Sequence, residues 1–222
     1  MADPGEPLST FIERTSEERL SRSEAFRGEM IRRRSVRSFS SRTVPREIIE
    51  NCIAAAAASP SGANRQPWHF VAVADPAVKS RIREGAEAAE RELYERRASK
   101  RFLDALEPLH TGPEKPFLVE APWLIAVFMQ RYRDLPDGTR LQHHYPIESA
   151  SIAMGILITA IHHAGLVTVP YTPSPAAFLA RILKRPAGER ALAVFPVGCP
   201  AEDATVPALQ RRAFDEIATF IE

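Results

Sequence analysis

Four arginines and two serines fall within seven positions, Arg32-Arg33-Arg34-Ser35-Val36-Arg37-Ser38. A guanidinium donates two parallel hydrogen bonds to phosphate or carboxylate oxygens, and a serine hydroxyl adds a short uncharged donor. The run therefore has the chemistry of a phosphate cradle, although a solvated surface stripe can have the same composition. A second stretch, Ser59-Pro60-Ser61-Gly62-Ala63-Asn64-Arg65-Gln66-Pro67-Trp68, is rich in turn formers. Gly62 lets backbone amides approach a ligand closely, so this loop could cradle an anion or a ring edge. It could equally be a plain connection from a helix to a strand.

Together the two stretches resemble the FMN-binding segments of the nitroreductase-like flavoproteins, R-R-S-x-R and P-S-x-x-N/H-x-Q/E-P-W. Within that superfamily the closer resemblance is to the iodotyrosine deiodinases, which are reductive dehalogenases, and it covers residues 22–212. The resemblance implies FMN as cofactor. Arg33, Ser35 and Arg211 would hold its phosphate, Arg37 would face the N1/O2 edge, and Thr172 would donate to N5. Arg34, Pro60, Ser61, Gly62 and Asn64 complete the implied cofactor contacts. Thr172 and Ala63 are the implied catalytic groups, the Ala63 amide being offered to the substrate's phenolate oxygen. Two departures stand out: the deiodinases carry histidine at Asn64, and Thr-Thr-Thr-Pro where this chain has Pro170-Tyr171-Thr172-Pro173.

Glu90, Tyr94 and Lys115 align with deiodinase residues that grip the amino-acid end of the substrate. Alone, a Glu and a Tyr four apart on a charged helix would read as solvated surface. As a set they make chemical sense, since a zwitterion needs one partner of each sign and a buried charge without a partner is costly. Lys115 lies in a stretch broken by Pro108, Gly112, Pro113 and Pro116, which makes residues 96–120 a candidate active-site lid. The implied reaction is reductive removal of halogen from a halotyrosine or similar ortho-halophenol, with an unidentified reductant. Two alternatives stay open: an NAD(P)H-dependent nitroreductase or quinone reductase, and a non-catalytic FMN-binding redox protein. The implied fold is α+β, a central mixed sheet flanked by helices, in an intertwined homodimer with the flavin at the subunit interface.

The elements that must position these residues can be read from periodicity. A chain of 222 residues can bury one sizeable core, so a single domain over 1–222 is expected, with an N-terminal extension over 1–21. The net charge of +1 gives no electrostatic case for nucleic acid. The longest apolar run, 123–129, is too short to span a bilayer, and the N-terminus lacks the basic-then-apolar pattern of a secretion signal, so a cytoplasmic protein is expected. Two cysteines without a CxxC indicate neither a disulfide framework nor a metal site. Helices are expected over 16–34, from Val44-Pro45 to 59, from Asp75-Pro76 to 100, and over 147–164 up to Gly165. Strands are expected at 68–73, 123–129, 166–169 and 191–198, with a turn at 134–138.

The phosphate assignment has a direct test. Changing Arg33 to Ala removes a charge-assisted hydrogen bond and is expected to weaken FMN binding by about 1.5–3 kcal/mol. Unaltered affinity in a flavin-release titration would remove Arg33 from the phosphate site.

Overall fold

The computed structural model describes residue 5 and residues 8–222, so residues 1–4, 6 and 7 of the expected N-terminal extension lie outside the described residues. The chain divides into two compact units, Met1–Arg33 and Arg34–Glu222. In the first, helix α1 (Ser16–Arg32) opens with a reciprocal cap: Thr15 Oγ1 accepts from the Glu18 amide and Glu18 answers the Thr15 amide. Its apolar residues Leu20, Phe26 and Ile31 are exposed.

The second unit is built on one sheet of four antiparallel strands in the order β1 (Trp68–Val73), β2 (Trp123–Gln130), β6 (Glu189–Gly198), β5 (Val167–Thr168). A single parallel bridge from Ser35 to Thr168 makes it mixed. The expected turn lies within a separate hairpin, β3 (Tyr132–Asp134) and β4 (Arg140–Gln142). Helices cover both faces of the main sheet. Because successive strand side chains point to opposite faces, Leu124, Ala126 and Phe128 of β2 pack with α3 (Pro76–Glu92), α5 (Phe117–Glu120) and α7 (Ala177–Ile182). Ile125 and Val127 pack on the other side with α2 (Arg46–Ala57) and α6 (Pro146–His163). The pairing of β2 with β6 shifts register between Val127 and Phe128, which is why Ala191 and Val194 share one face although three positions apart.

Local chemistry accounts for these boundaries. The apolar stripe of α2 buries Ile49, Cys52 and Ala56 at helical spacing. Asp75 caps α3 by accepting from the Ala77 and Val78 amides at 2.8 and 3.0 Å, and α6 is stopped by Gly165 at φ 76°. One expectation fails: the helix drawn to residue 100 stops at Glu92. A π-helical turn, Leu93–Arg97, follows, then Ala98 is extended (ψ 133°) and Ser99 caps α4 (Lys100–Leu106) through the Phe102 amide at 3.3 Å. The serine hydroxyl competes with helix continuation by starting a new helix of its own. No helix among the described residues is long and apolar enough to cross a membrane.

Packing of α3 on α7 predicts an inverted substitution effect. Replacing a helical glycine by alanine ordinarily stabilises by about 1 kcal/mol. A Cβ on Gly85, however, would lie 2.5 Å from Phe178 Cδ2. Gly85→Ala is therefore expected to destabilise, by about 1–3 kcal/mol, in urea unfolding.

Candidate functional site

The arginine–serine run leaves α1 and continues as an extra extended segment along the sheet edge. The Val36 amide donates to the Thr168 carbonyl at 3.2 Å, the Ser40 amide to Cys199 at 3.0 Å, and the Ala201 amide to Ser38 at 3.2 Å. Val36 and Phe39 turn into the core, while Ser35 and Arg37 line a cleft of about 520 Å³ with Ser38, His110, Thr205 and Pro207. Arg34 donates to the Pro207 carbonyl. Burial holds the Arg37 guanidinium below its usual pKa, partly offset by the nearby Tyr94 phenol. No carboxylate pairs with Arg37 among the described residues. Close by, Thr168 Oγ1 is buried without a hydrogen-bond partner. A partly desolvated cation beside the Ser35 and Ser38 hydroxyls, in a cleft that Asp203 also lines, fits a phosphate or an anionic ring edge. Arg211 lies in the exposed C-terminal segment beyond this lining, and Arg33 is the C-cap of α1.

The second stretch folds into a tight turn in which three of four successive L-residues, Ala63, Asn64 and Gln66, have φ near +50°. Ser61 holds the turn, its carbonyl accepting from the Asn64 amide and its hydroxyl from the Gln66 amide, both at 2.9 Å. Asn64 Oδ1 accepts from Gln66 Nε2 at 3.0 Å. The Gly62 amide donates to Ser149 Oγ at 3.4 Å, and a Cβ at Gly62 would press to 3.1 Å from the His144 carbonyl. The Ala63 amide meets no acceptor among the described residues, leaving a donor on an exposed, strained turn. Pro60 is exposed beside it. None of residues 60–64 lines the Arg37 cleft, so one chain does not join the two stretches there. Thr172 is exposed and lines a different cleft of about 670 Å³ with Arg131, Ser174, Ala176 and Leu192.

Glu90, Tyr94 and Lys115 come together, and the two charges pair with each other. Lys115, 3% exposed, places its Nζ 3.0 Å from Glu90 Oε2, so the two charges satisfy each other. Lys115 also donates to the Gly112 carbonyl. Tyr94 sits in the π-helical turn and its hydroxyl donates to the Thr111 carbonyl at 3.2 Å. The candidate lid thus folds as α4, a short turn and α5, with its central loop tied down at Thr111, Gly112 and Lys115. Glu87 fixes the Lys115 backbone by accepting its amide at 2.9 Å, and Lys79 holds the end of α5 by donating to the Val119 and Ala121 carbonyls at 3.2 and 2.7 Å.

A fourth member was missed in the sequence. The Tyr171 hydroxyl donates to Glu90 Oε1 at 3.2 Å, and Lys115 Nζ lies 5.8 Å from its ring centroid and 5.9 Å from that of Tyr94. Burial, then the Glu90 charge, pushes both phenols above their ordinary range, so both remain protonated donors. The available signal was its place in the departing 170–173 loop, where an amphipathic aromatic stands ahead of Thr-Pro.

A family model described as the nitroreductase family matches residues 30–199. An iodotyrosine deiodinase of Haliscomenobacter hydrossis is 50% identical over 196 residues, covering 88% of each chain. Human iodotyrosine deiodinase 1 is 43% identical over 201 residues, covering 90% of this chain and 70% of that protein. A crystal structure of oxidised iodotyrosine deiodinase bound to FMN and 3-iodo-L-tyrosine superposes with a TM-score of 0.76 at 30% identity, covering 88% of this chain and all of that one. A BluB-like flavoprotein from Clostridium difficile shares the fold, with a TM-score of 0.67 at 21% identity over 88% of this chain and 98% of its own.

The buried ion pair carries a stability prediction. Lys115→Met leaves the Glu90 carboxylate without its cation and is expected to cost about 3–5 kcal/mol. Adding Glu90→Gln to that variant should recover a large part of the loss. Urea unfolding of the four proteins reads the coupling; strictly additive effects would mean that the pair does not act as one.

Proposed function

The chain belongs to the nitroreductase family, and from that premise we propose that it catalyses the FMN-dependent reductive dehalogenation of a halogenated tyrosine, releasing halide and tyrosine. The observation that carries this reading is the buried Glu90–Lys115 pair, two opposite charges held beside two phenols and next to the Arg37 cleft. That is the acceptor and donor pair an amino-acid zwitterion requires. The iodotyrosine deiodinase relatives and the structure with 3-iodo-L-tyrosine support the same substrate class.

Each residue has a distinct task in this reading. Arg33, Arg34, Ser35 and Arg211 hold the FMN phosphate, with Pro60, Ser61, Gly62 and Asn64 along the ring, and Arg37 stabilises negative charge at the ring's N1/O2 edge. Bound FMN would supply two electrons, which with one proton exchange the carbon–halogen bond for carbon–hydrogen and free the halide. Thr172 offers its hydroxyl to N5. The Ala63 amide favours the phenolate over the phenol, Glu90 takes the substrate ammonium, Lys115 its carboxylate, and Tyr94 adds a donor at the same end. Residues 96–120 close over the substrate and exclude water.

A homodimer and a cytoplasmic location belong to the same proposal, as does a reductant still to be identified. Homodimerisation is supported by the exposure of Ile147 and Ile152 on α6 and of Leu209, Phe214, Ile217 and Phe220 in the C-terminal segment. A second copy presenting its 60–64 turn to the Arg37 cleft would also explain why one chain leaves the two stretches apart.

Anaerobic titration of the reduced protein with 3-iodotyrosine, following flavin reoxidation and iodide release, tests the activity. 3-Iodotyrosine is expected to bind far better than 2-iodophenol, and Glu90→Gln to remove about 2–5 kcal/mol of that preference. Equal binding of both ligands, with Glu90→Gln weakening both alike, would favour nitroaromatic or quinone reduction instead.

A further inference from the structure

The two oxygens of Glu90 have unlike partners. Oε2 faces the Lys115 ammonium at 3.0 Å, and Oε1 accepts from the Tyr171 hydroxyl at 3.2 Å. Lys115 rides on the proline-broken connection between α4 and α5. Tyr171 is fixed to the sheet: its amide donates to the Val194 carbonyl at 2.9 Å and its carbonyl accepts from the Val194 amide at 2.8 Å. Its ring is buried edge-on against Phe117, centroids 6.1 Å apart. One partner can therefore leave with a loop, and the other cannot leave without breaking the sheet edge.

We propose that Tyr171 is a specificity-determining positioning residue, whose hydroxyl holds one oxygen of Glu90 in place while the other is passed from Lys115 to the ammonium of an amino-acid ligand. The inference rests on the halotyrosine reading above. With Oε1 occupied, Glu90 presents one open oxygen in one direction, and it keeps a donor throughout the exchange, so its charge is never left bare in a buried site. A zwitterion completes the exchange with every charge paired, its ammonium on Oε2 and its carboxylate on the displaced Lys115. A ligand carrying only an ammonium strands Lys115, and one carrying neither charge leaves the resting pair undisturbed. Tyr171 thereby sets how well the pocket separates amino acids from plain phenols.

Tyr171→Phe removes the hydroxyl and keeps the ring against Phe117. In the FMN-loaded protein, calorimetric binding of 3-iodotyrosine is expected to weaken roughly 3–10-fold, because the hydrogen bond is present before and after binding and what is lost is the pre-ordering of the Glu90 carboxylate. Binding of 2-iodophenol should stay within about twofold. In steady state with dithionite as reductant, KM for 3-iodotyrosine should rise by a similar factor while kcat changes far less. Tyr171→Phe combined with Glu90→Gln should cost little more than Glu90→Gln alone, because the hydroxyl acts through that carboxylate. Wild-type affinity for 3-iodotyrosine in Tyr171→Phe overturns the proposal. So does an equal loss for both ligands, which marks a purely structural tyrosine. If the wild-type protein itself shows no preference for 3-iodotyrosine over 2-iodophenol, the functional reading fails, and this proposal fails with it.

Discussion

A carboxylate that is only 8% exposed has to meet positive charge or hydrogen-bond donors, and Glu90 on α3 imposes that demand on everything around it. Its partners come from two distant parts of the chain. Lys115 supplies the charge, which requires the connection after α4 to fold back over α3. Tyr171 supplies a neutral donor, which requires the strand-edge bridge to Val194. The anchoring of Lys115 is layered: Glu87 holds its amide, Phe117 and Leu118 bury the helix that starts beside it, and Lys79 ties off that helix's last carbonyls. Glu87 is itself held below the usual carboxylate range, burial being outweighed by the Lys115 amide and by Arg83. A chain of charges thus runs from the surface of α3 into the pocket.

The connection that carries Lys115 has a second contact. His110, a few residues earlier, lines the cleft of Ser35 and Arg37, and Tyr94 feels both Arg37 and Glu90. The cofactor-type cleft and the zwitterion-type cluster are therefore joined by one short stretch of backbone, 109–115. His110 at the wall of the Arg37 cleft and Lys115 on Glu90 are thus carried by the same backbone segment. The sheet, by contrast, is packed on both faces.

Much of the scaffold was legible because it rests on periodicity and on local caps. The α2 stripe, the unbroken apolar run of β2, the Asp75 cap and the Gly165 stop all depend on residues within one or two turns of each other. What could not be read depends on contacts far apart in sequence or on competition between neighbours. The break at Ala98, after the π-helical turn that follows α3, reflects Ser99 starting a new helix, a contest that apolar spacing does not register. Glu90, Tyr94 and Lys115 were identified as a set, but their resting arrangement was not, because a charge aligned with a ligand-binding role can equally satisfy its own neighbour. Tyr171 escaped notice because its loop was valued for Thr172, and only the tertiary path turns the preceding side chain inward.

That resting arrangement changes what the amino-acid end of a ligand can contribute. Were Glu90 and Lys115 separately solvated, a zwitterion would add two new ion pairs. With the two already paired at 3.0 Å, it makes two pairs and breaks one, and the gain is only the difference, reduced further by ordering of the ligand. The net pair gained still favours a zwitterion over a ligand that carries neither charge, and the cluster adds exclusion to that preference. A ligand that opens the pair without replacing both partners leaves a buried charge bare, a penalty of several kcal/mol. Discrimination of this kind combines the net pair gained by the right ligand with the cost imposed on one that opens the pair without replacing both partners.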